Sequence, residues 1–203
     1  MARRKTKIKD KWRDKKWITV LAPTSFNSFP ISYIPITSEE HAIGRVIEVT
    51  LFDIVKGDPS QHQFKLAFQI NKIEDGTAKT IFKRYEYAKE YLRSLVRRGS
   101  TKINFICDCK TKDGSVFSIK IIILTQKQIN SSRMHTLRLI AKDVLDKTIP
   151  DMTLDQFVQA TAFGKINSDI MAAAKKIIRI RHVGLEKVKL IRTAEAEITL
   201  LKA

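Results

Sequence analysis

The chain has 203 residues and a 43% hydrophobic content, enough to bury the core of one domain or two small lobes, which excludes a disordered tail. Its 38 Lys and Arg against 21 Asp and Glu leave a net charge of +17, a self-repelling excess that puts nucleic acid or an anionic membrane surface first among partners. The aliphatic run at residues 121–124 falls far short of the roughly 20 residues of a spanning helix, and Asp10, Arg13 and Asp14 interrupt any apolar stretch behind the basic N-terminus, so no membrane partner and no secretory signal is expected and the chain is placed in the cytoplasm.

Residues 1–16 form a basic arm. Between Arg3 and Lys16 there are nine Lys or Arg and two Asp. Both tryptophans lie at its end. Trp17 opens the apolar stretch "WITVLAP" and is expected to anchor in the core, whereas Trp12, among the cations, is expected to face RNA. Residues 17–85 then carry four of the five prolines and mainly strand signals, so no helix of any length is expected in the first third. "GRVIEVTLFDIV" is rich in β-branched residues, and "HQFKLAFQI" alternates Phe64, Leu66, Phe68 and Ile70 against Lys65, Ala67 and Gln69, which predicts one buried face. Asp75-Gly76 joins that run to "TAKTIFKRY" as a β-hairpin turn.

Residues 86–203 read differently. "EYAKEYLRSLVRRG" predicts a helix with Tyr91, Leu92, Leu95 and Val96 on one stripe and Gly99 just past its end. A second hairpin follows, with Ile103, Phe105, Cys107 and Cys109 alternating on one strand, Phe117, Ile119, Ile121 and Ile123 on the other, and Asp113-Gly114 in the turn. Cys107 and Cys109, at i and i+2, share a strand face rather than disulfide geometry and read as core. Three helices are expected: residues 131–147, stopped by Pro150; one opened by the Thr153/Gln156 capping box and closed by Gly164; and "NSDIMAAAKKII". "RIRHVGLEKVKLIR" ends the pattern as a strand. The predicted class is α+β: an antiparallel, β-barrel-like N-terminal part, followed by a part in which helices pack on a β-sheet.

No phosphate-binding loop, dinucleotide fingerprint, nucleophile elbow or H-E-x-x-H motif is present, and four scattered histidines with one Cys pair do not compose a zinc set, so neither catalysis, metal nor cofactor is expected. Asp143, Asp146, Asp151 and Asp155 are the carboxylates an RNA-processing enzyme would need, and they read instead as solvated helix charges. The cations are more informative. Candidate RNA-binding residues are Arg3, Arg4, Lys5, Lys7, Lys9, Lys11, Trp12, Arg13, Lys15 and Lys16 in the arm, Arg93, Arg97 and Arg98 at the end of the first helix, Lys110 and Lys112 at the second hairpin tip, and Arg179 and Arg181 on the last strand. Arg93 and Arg97, four residues apart, would repel on a helix without an anion between them, and guanidinium groups suit bidentate phosphate contacts. Separate basic patches without a catalytic constellation describe a protein that lies along a folded RNA, which is recognised through shape and backbone.

Five segments, "KDKWRDKKWITVLAP", "IGRVIEVTLFDI", "YLRSLVRR", "TKDGSVFSIK" and "LDQFVQ", in that order, resemble the archaeal and eukaryotic small-subunit ribosomal protein family of the S-three-A-e class, from Arg3 to Arg192. The resemblance implies a non-catalytic place on the platform of the small subunit near the messenger exit region. It implies as partners the small-subunit ribosomal RNA, neighbouring ribosomal proteins and messenger RNA near the exit, and the length fits the archaeal form. Gly99, where a further basic residue is expected, and the two Asp of the arm depart from that pattern. A free-standing RNA-binding regulator or translation factor is the alternative that shares the charge.

Overall fold

The computed structural model describes residues 12–193. In chain order it contains β1 (Lys16–Leu21), β2 (Pro30–Ile36), β3 (Val46–Thr50), α1 (Leu51–Val55), β4 (Phe64–Glu74), β5 (Thr77–Tyr87), α2 (Lys89–Leu95), β6 (Lys102–Lys110), β7 (Val116–Thr125), α3 (Ser131–Thr148), α4 (Leu154–Ala162), α5 (Lys165–Ala174) and β8 (Ile180–Arg192). Two Asp-Gly turns set the register of the longest pairings. Asp75 and Gly76 both adopt positive φ, 48° and 74°, which matches the right-handed twist of β4 and β5. Gly114, φ 83°, turns β6 into β7 so that Ile103, Phe105, Cys107 and Cys109 face Ile123, Ile121, Ile119 and Phe117, as the alternation predicts.

All eight strands share one sheet in the order β2-β1-β5-β8-β7-β6, with β3 and β4 branching from β5. β4 lies along β5 for its whole length. The other edge of β5 is therefore divided: β1 pairs with it in parallel at Thr77–Lys79, and β8 pairs antiparallel at Arg84–Glu86. The class is α+β, as expected, but the sheet is open and does not close into a barrel, because β1 and β8 diverge from this shared strand. Lys83 has no partner in the β4–β5 register, a one-residue bulge that changes which residues of β5 point inward. Ala78, Thr80 and Phe82 are buried before it, Tyr85 and Tyr87 after it.

Two apolar clusters result. The larger fills the space between β4–β8 and the helices, with Phe117, Ile119, Ile121 and Ile123 against Leu137, Ala141 and Leu145 of α3, Phe157 of α4, and Ile166 and Ile170 of α5. The smaller joins Ile18 and Val20 of β1 to Ile36, Ala42, Ile70 and Ala78. α4 starts at the predicted capping box, with Thr153 Oγ1 accepting from the Gln156 amide and Gln156 Oε1 accepting from the Thr153 amide. Ser25 and Thr24 hydroxyls both donate to the Asp155 carboxylate, and Gln159 Nε2 donates to Ser25 O (2.7 Å), which ties the chain after β1 to α4.

Three expectations are corrected. The strand "GRVIEVTLFDIV" stops at Thr50, whose side chain and that of Asp53 cap each other's backbone amides and start the short helix α1 in the proline-rich third. α2 ends at Leu95, because Val96 is extended (ψ 126°) and exposed, so Arg97 and Arg98 leave the helix and Gly99 (φ 77°) serves a turn in which the Ser100 amide donates to Arg97 O. Trp17 is not a core anchor: it is 66% exposed, because the inner positions of β1 belong to Ile18 and Val20.

Tyrosines knit the sheet to α2 and α5. Phe64, Tyr85, Tyr87 and Tyr91 form successive ring contacts, and the His182 ring meets those of Tyr87 and Tyr91. Burial first, then the neighbouring Tyr91, raises the Tyr87 hydroxyl above its ordinary pKa, so it stays neutral, hydrogen-bonded to Asn167 of α5 and to Tyr85. Asn167 Oδ1 in turn accepts from the Leu185 amide (3.1 Å). Gly184 of β8 lies beneath Tyr87, where a Cβ would overlap the hydroxyl and stand 2.8 and 2.9 Å from two ring carbons. The sheet also carries ion pairs: Glu48 with Arg84, Arg84 with Glu86 (3.5 Å) and Glu86 with Lys187 (2.8 Å) in one chain, and Glu186 with Lys120 (2.6 Å) as a separate pair. Burial opposes ionisation of Glu86, but the Lys187 hydrogen bond and the charges of Arg84, Lys187 and Lys65 outweigh it and hold its pKa below the ordinary value.

Gly184→Ala is expected to lower stability by about 1–3 kcal/mol through overpacking against Tyr87, read as a lower urea midpoint. Because the folded-state pKa of Glu86 is depressed, its contribution to stability is full above the unfolded glutamate value and is lost as pH falls through the folded one. Glu86→Gln should therefore be less stable than the wild type at neutral pH, with the gap between their urea midpoints closing on acidification; a gap that widens in acid would contradict this assignment.

Candidate nucleic-acid interface

The predicted cations distribute into three places. Arg3, Arg4, Lys5, Lys7, Lys9 and Lys11 lie outside the described residues. Trp12, Arg13 and Lys15 belong to a turn, closed by the Lys15 amide donating to Trp12 O (3.2 Å), that feeds directly into β1 at Lys16. Trp12 is 62% exposed, and Lys15 Nζ stands 3.7 Å from its ring centroid. A lysine ammonium over an indole face is a favourable electrostatic contact. It holds the side chain of Lys15 at the surface beside Arg13 and Lys16, both exposed.

The second place joins two segments far apart in sequence. Arg93 sits in the last turn of α2, Arg97 and Arg98 in the exposed connection to β6, and Lys102 at the first position of β6. Lys102 pairs with Leu124 and Thr125 pairs with Ile180, while the Gln126 amide donates to Arg179 O (3.2 Å). The start of β6, the end of β7 and the start of β8 are therefore side by side. Tyr91 of α2 meets His182 with its ring edge-on (6.1 Å, 89°), which brings α2 to the same end of the sheet. Arg93, Arg97, Arg98, Lys102, Arg179 and Arg181 thus share one end. β8 begins at Ile180, which is buried, so Arg179, expected on this strand, lies exposed just before it. Arg181 is half-buried, with Nη2 sealed from solvent and without a hydrogen-bond partner among the described residues. Burial first, and then the Arg181 charge, lowers the pKa of His182, so the cationic character of this end comes from the arginines and Lys102.

Lys110 and Lys112 stand at the opposite end of the β6–β7 hairpin, both exposed. Their turn is held rigidly: the Lys112 amide donates to Met152 O (3.0 Å), and Asp113 Oδ2 accepts from the Leu154 amide (2.6 Å) at the start of α4. Their end of the sheet also receives Arg192, which pairs with Val116. Not every cation is available in this way. Lys187 pairs with Glu86, Lys120 with Glu186, and Arg84 with Glu48 and Glu86. That neutralisation arises from cross-strand register, which spacing along the chain does not display.

No group of three or more His, Cys, Asp or Glu side chains is placed to hold a metal among the described residues, and no helix of the described residues is long and apolar enough to cross a membrane. Cys107 and Cys109 are free thiols on one face of β6, with Sγ atoms 3.9 Å apart. The hydrogen bond between them, together with burial, holds the Cys107 thiol well above its ordinary pKa.

The sequence model of the Ribosomal S3Ae family matches residues 3–194. A small ribosomal subunit protein eS1 of Desulfurococcus amylolyticus is 44% identical over 184 residues, 91% of this chain and 86% of the relative. The protein of the same name from Sulfurisphaera tokodaii is 39% identical over 93% of this chain and 97% of its own length, and that of Staphylothermus marinus 39% identical over 94% and 89%. With a family match over nearly the whole chain and relatives of this identity and coverage, the chain belongs to the Ribosomal S3Ae family.

Proposed function

We propose that the chain is a non-catalytic, structural constituent of the cytoplasmic small ribosomal subunit, binding small-subunit ribosomal RNA through its phosphates and supporting translation. The observation that carries this reading is the convergence of Arg93, Arg97, Arg98, Arg179 and Arg181, from two distant segments, on one end of the sheet. Like charges so grouped repel one another unless an anion bridges them, and guanidinium groups match phosphate oxygens two at a time. Family membership supports the ribosomal setting, and the relatives' names give the small subunit. The finer reading follows the resemblance: a position on the platform near the messenger exit region, with neighbouring ribosomal proteins and messenger RNA as further partners. Lys110 and Lys112 form a separate contact at the other end of the sheet, and the arm from Arg3 to Lys16 a third.

Sedimentation of a gentle extract tests the reading. The chain should travel stoichiometrically with the small subunit and remain after a high-salt wash, whereas release by salt would make it a cycling regulator. Arg97→Ala with Arg98→Ala should flatten the dependence of RNA affinity on salt, each lost phosphate contact reducing the log–log slope by roughly 0.7–0.9. An unchanged slope would place both arginines away from RNA.

A further inference from the structure

The outer face of the β1–β2 ribbon carries two large rings that the fold leaves uncovered. Trp17 stands opposite Pro35, and Tyr33 opposite Thr19, so Trp17 and Tyr33 are diagonal neighbours on the same face. They are 66% and 67% exposed. The inner face of the ribbon is spent on Ile18, Val20 and Ile36 in the small core, so neither ring is needed to hold the ribbon in place. Arg13, Lys15 and Lys16 precede Trp17 directly, and Arg45 reaches the far strand, its Nη1 donating to Pro35 O (3.4 Å). The acidic residues near this ribbon are Asp14 in the turn, Glu39 and Glu40 after β2, Asp75 in the β4–β5 turn, whose neighbour Gly76 accepts from the Thr19 amide (3.3 Å), and Glu74, which is paired with Lys79.

We infer that Trp17 and Tyr33 form a stacking platform for two unpaired bases of a single-stranded RNA segment, with Arg13 and Arg45 on its phosphates. This rests on the RNA-binding reading above and names a substrate class for one surface of it. Aromatic rings flanked by cations bind single strands because every base offers a π-face, whereas a duplex keeps those faces stacked on one another. Diagonal cross-strand neighbours are about 7–8 Å apart, about twice the 3.4 Å rise between bases of a duplex strand. The platform therefore takes two bases splayed apart. Strand addition by a protein is disfavoured on the same ribbon, since Pro35 presents no N–H at the edge where its carbonyl meets Arg45.

The test uses the full chain with an unstructured oligouridine and a fully paired RNA hairpin. Trp17→Ala with Tyr33→Ala should weaken oligouridine binding by about tenfold or more for each ring lost, leave hairpin binding and the urea midpoint unchanged, and be rescued by Trp17→Phe with Tyr33→Phe. In a Trp12→Phe chain, where Trp17 is the only indole, oligouridine should quench the tryptophan emission. Full oligouridine affinity in the alanine variant, or no quenching at Trp17, would overturn the platform while hairpin binding kept the broader RNA reading intact. A wild-type chain that bound neither RNA would remove both. An alanine variant that bound oligouridine normally but no longer joined the small subunit would assign the face to a protein and overturn the inference.

Discussion

A β-strand has two edges, and β5 has three strand neighbours. β4 uses one edge along the full length of β5, so β1 and β8 must divide the other, and the sheet forks where they part. Much of the remaining structure is arranged around that fork. Leu21, the last residue of β1, accepts from Thr80 Oγ1 there (2.7 Å), and the segment that follows turns away through Thr24–Phe26 to dock on α4. The Lys83 bulge changes the inward phase of β5 between its two sets of contacts, so that Phe82 meets Phe117 while Tyr85 and Tyr87 reach the tyrosine cluster. One strand thereby carries the apolar contacts of both the small cluster and the large one, through Ala78 on one side and Phe82 to Tyr87 on the other.

Local chemistry explains which parts of this were legible. Asp-Gly turns, the Thr153/Gln156 capping box and the alternation of β6 and β7 depend on residues within a few positions of one another, and each appears in the structure as read. Trp17 failed because hydrophobicity was weighed without phase: two β-branched or aliphatic residues at alternate positions, Ile18 and Val20, already claim the inner face, and a side chain one position out must point away. Thr50 failed for the opposite reason. A β-branched run masks a Thr-x-x-Asp cap, and reciprocal capping there ended the strand. The end of α2 was misplaced because Gly99 reads equally as a helix stop and as a turn residue, and the extended backbone of Val96 decides between them.

The candidate interface was legible as composition and not as place. Runs of Lys and Arg named the candidate cations, yet the grouping of Arg93, Arg97 and Arg98 with Arg179 and Arg181 follows from the pairing of β6, β7 and β8 and from the packing of Tyr91 against His182. The same pairing removes Lys187, Lys120 and Arg84 from the available set by giving each a glutamate. A net charge of +17 is therefore not spread evenly. Acidic partners sit across the middle of the sheet, where cations of adjacent strands would otherwise stand opposite one another at close range, as Lys120 and Lys187 do in register.

This segregation bears on the tryptophans at the end of the basic arm. Trp12 gains the Lys15 ammonium over its face, but the exposed rings of Trp17 and Tyr33 on one ribbon face add apolar surface to water. Such an arrangement is stabilising only in a state where the rings are covered. On the proposed reading the cover also meets Arg13 and Arg45, which favours an anion with flat faces over an apolar protein surface or a lipid tail. A nucleic acid strand with unpaired bases meets both demands at once, and the charge excess and the exposed rings then have a common cause.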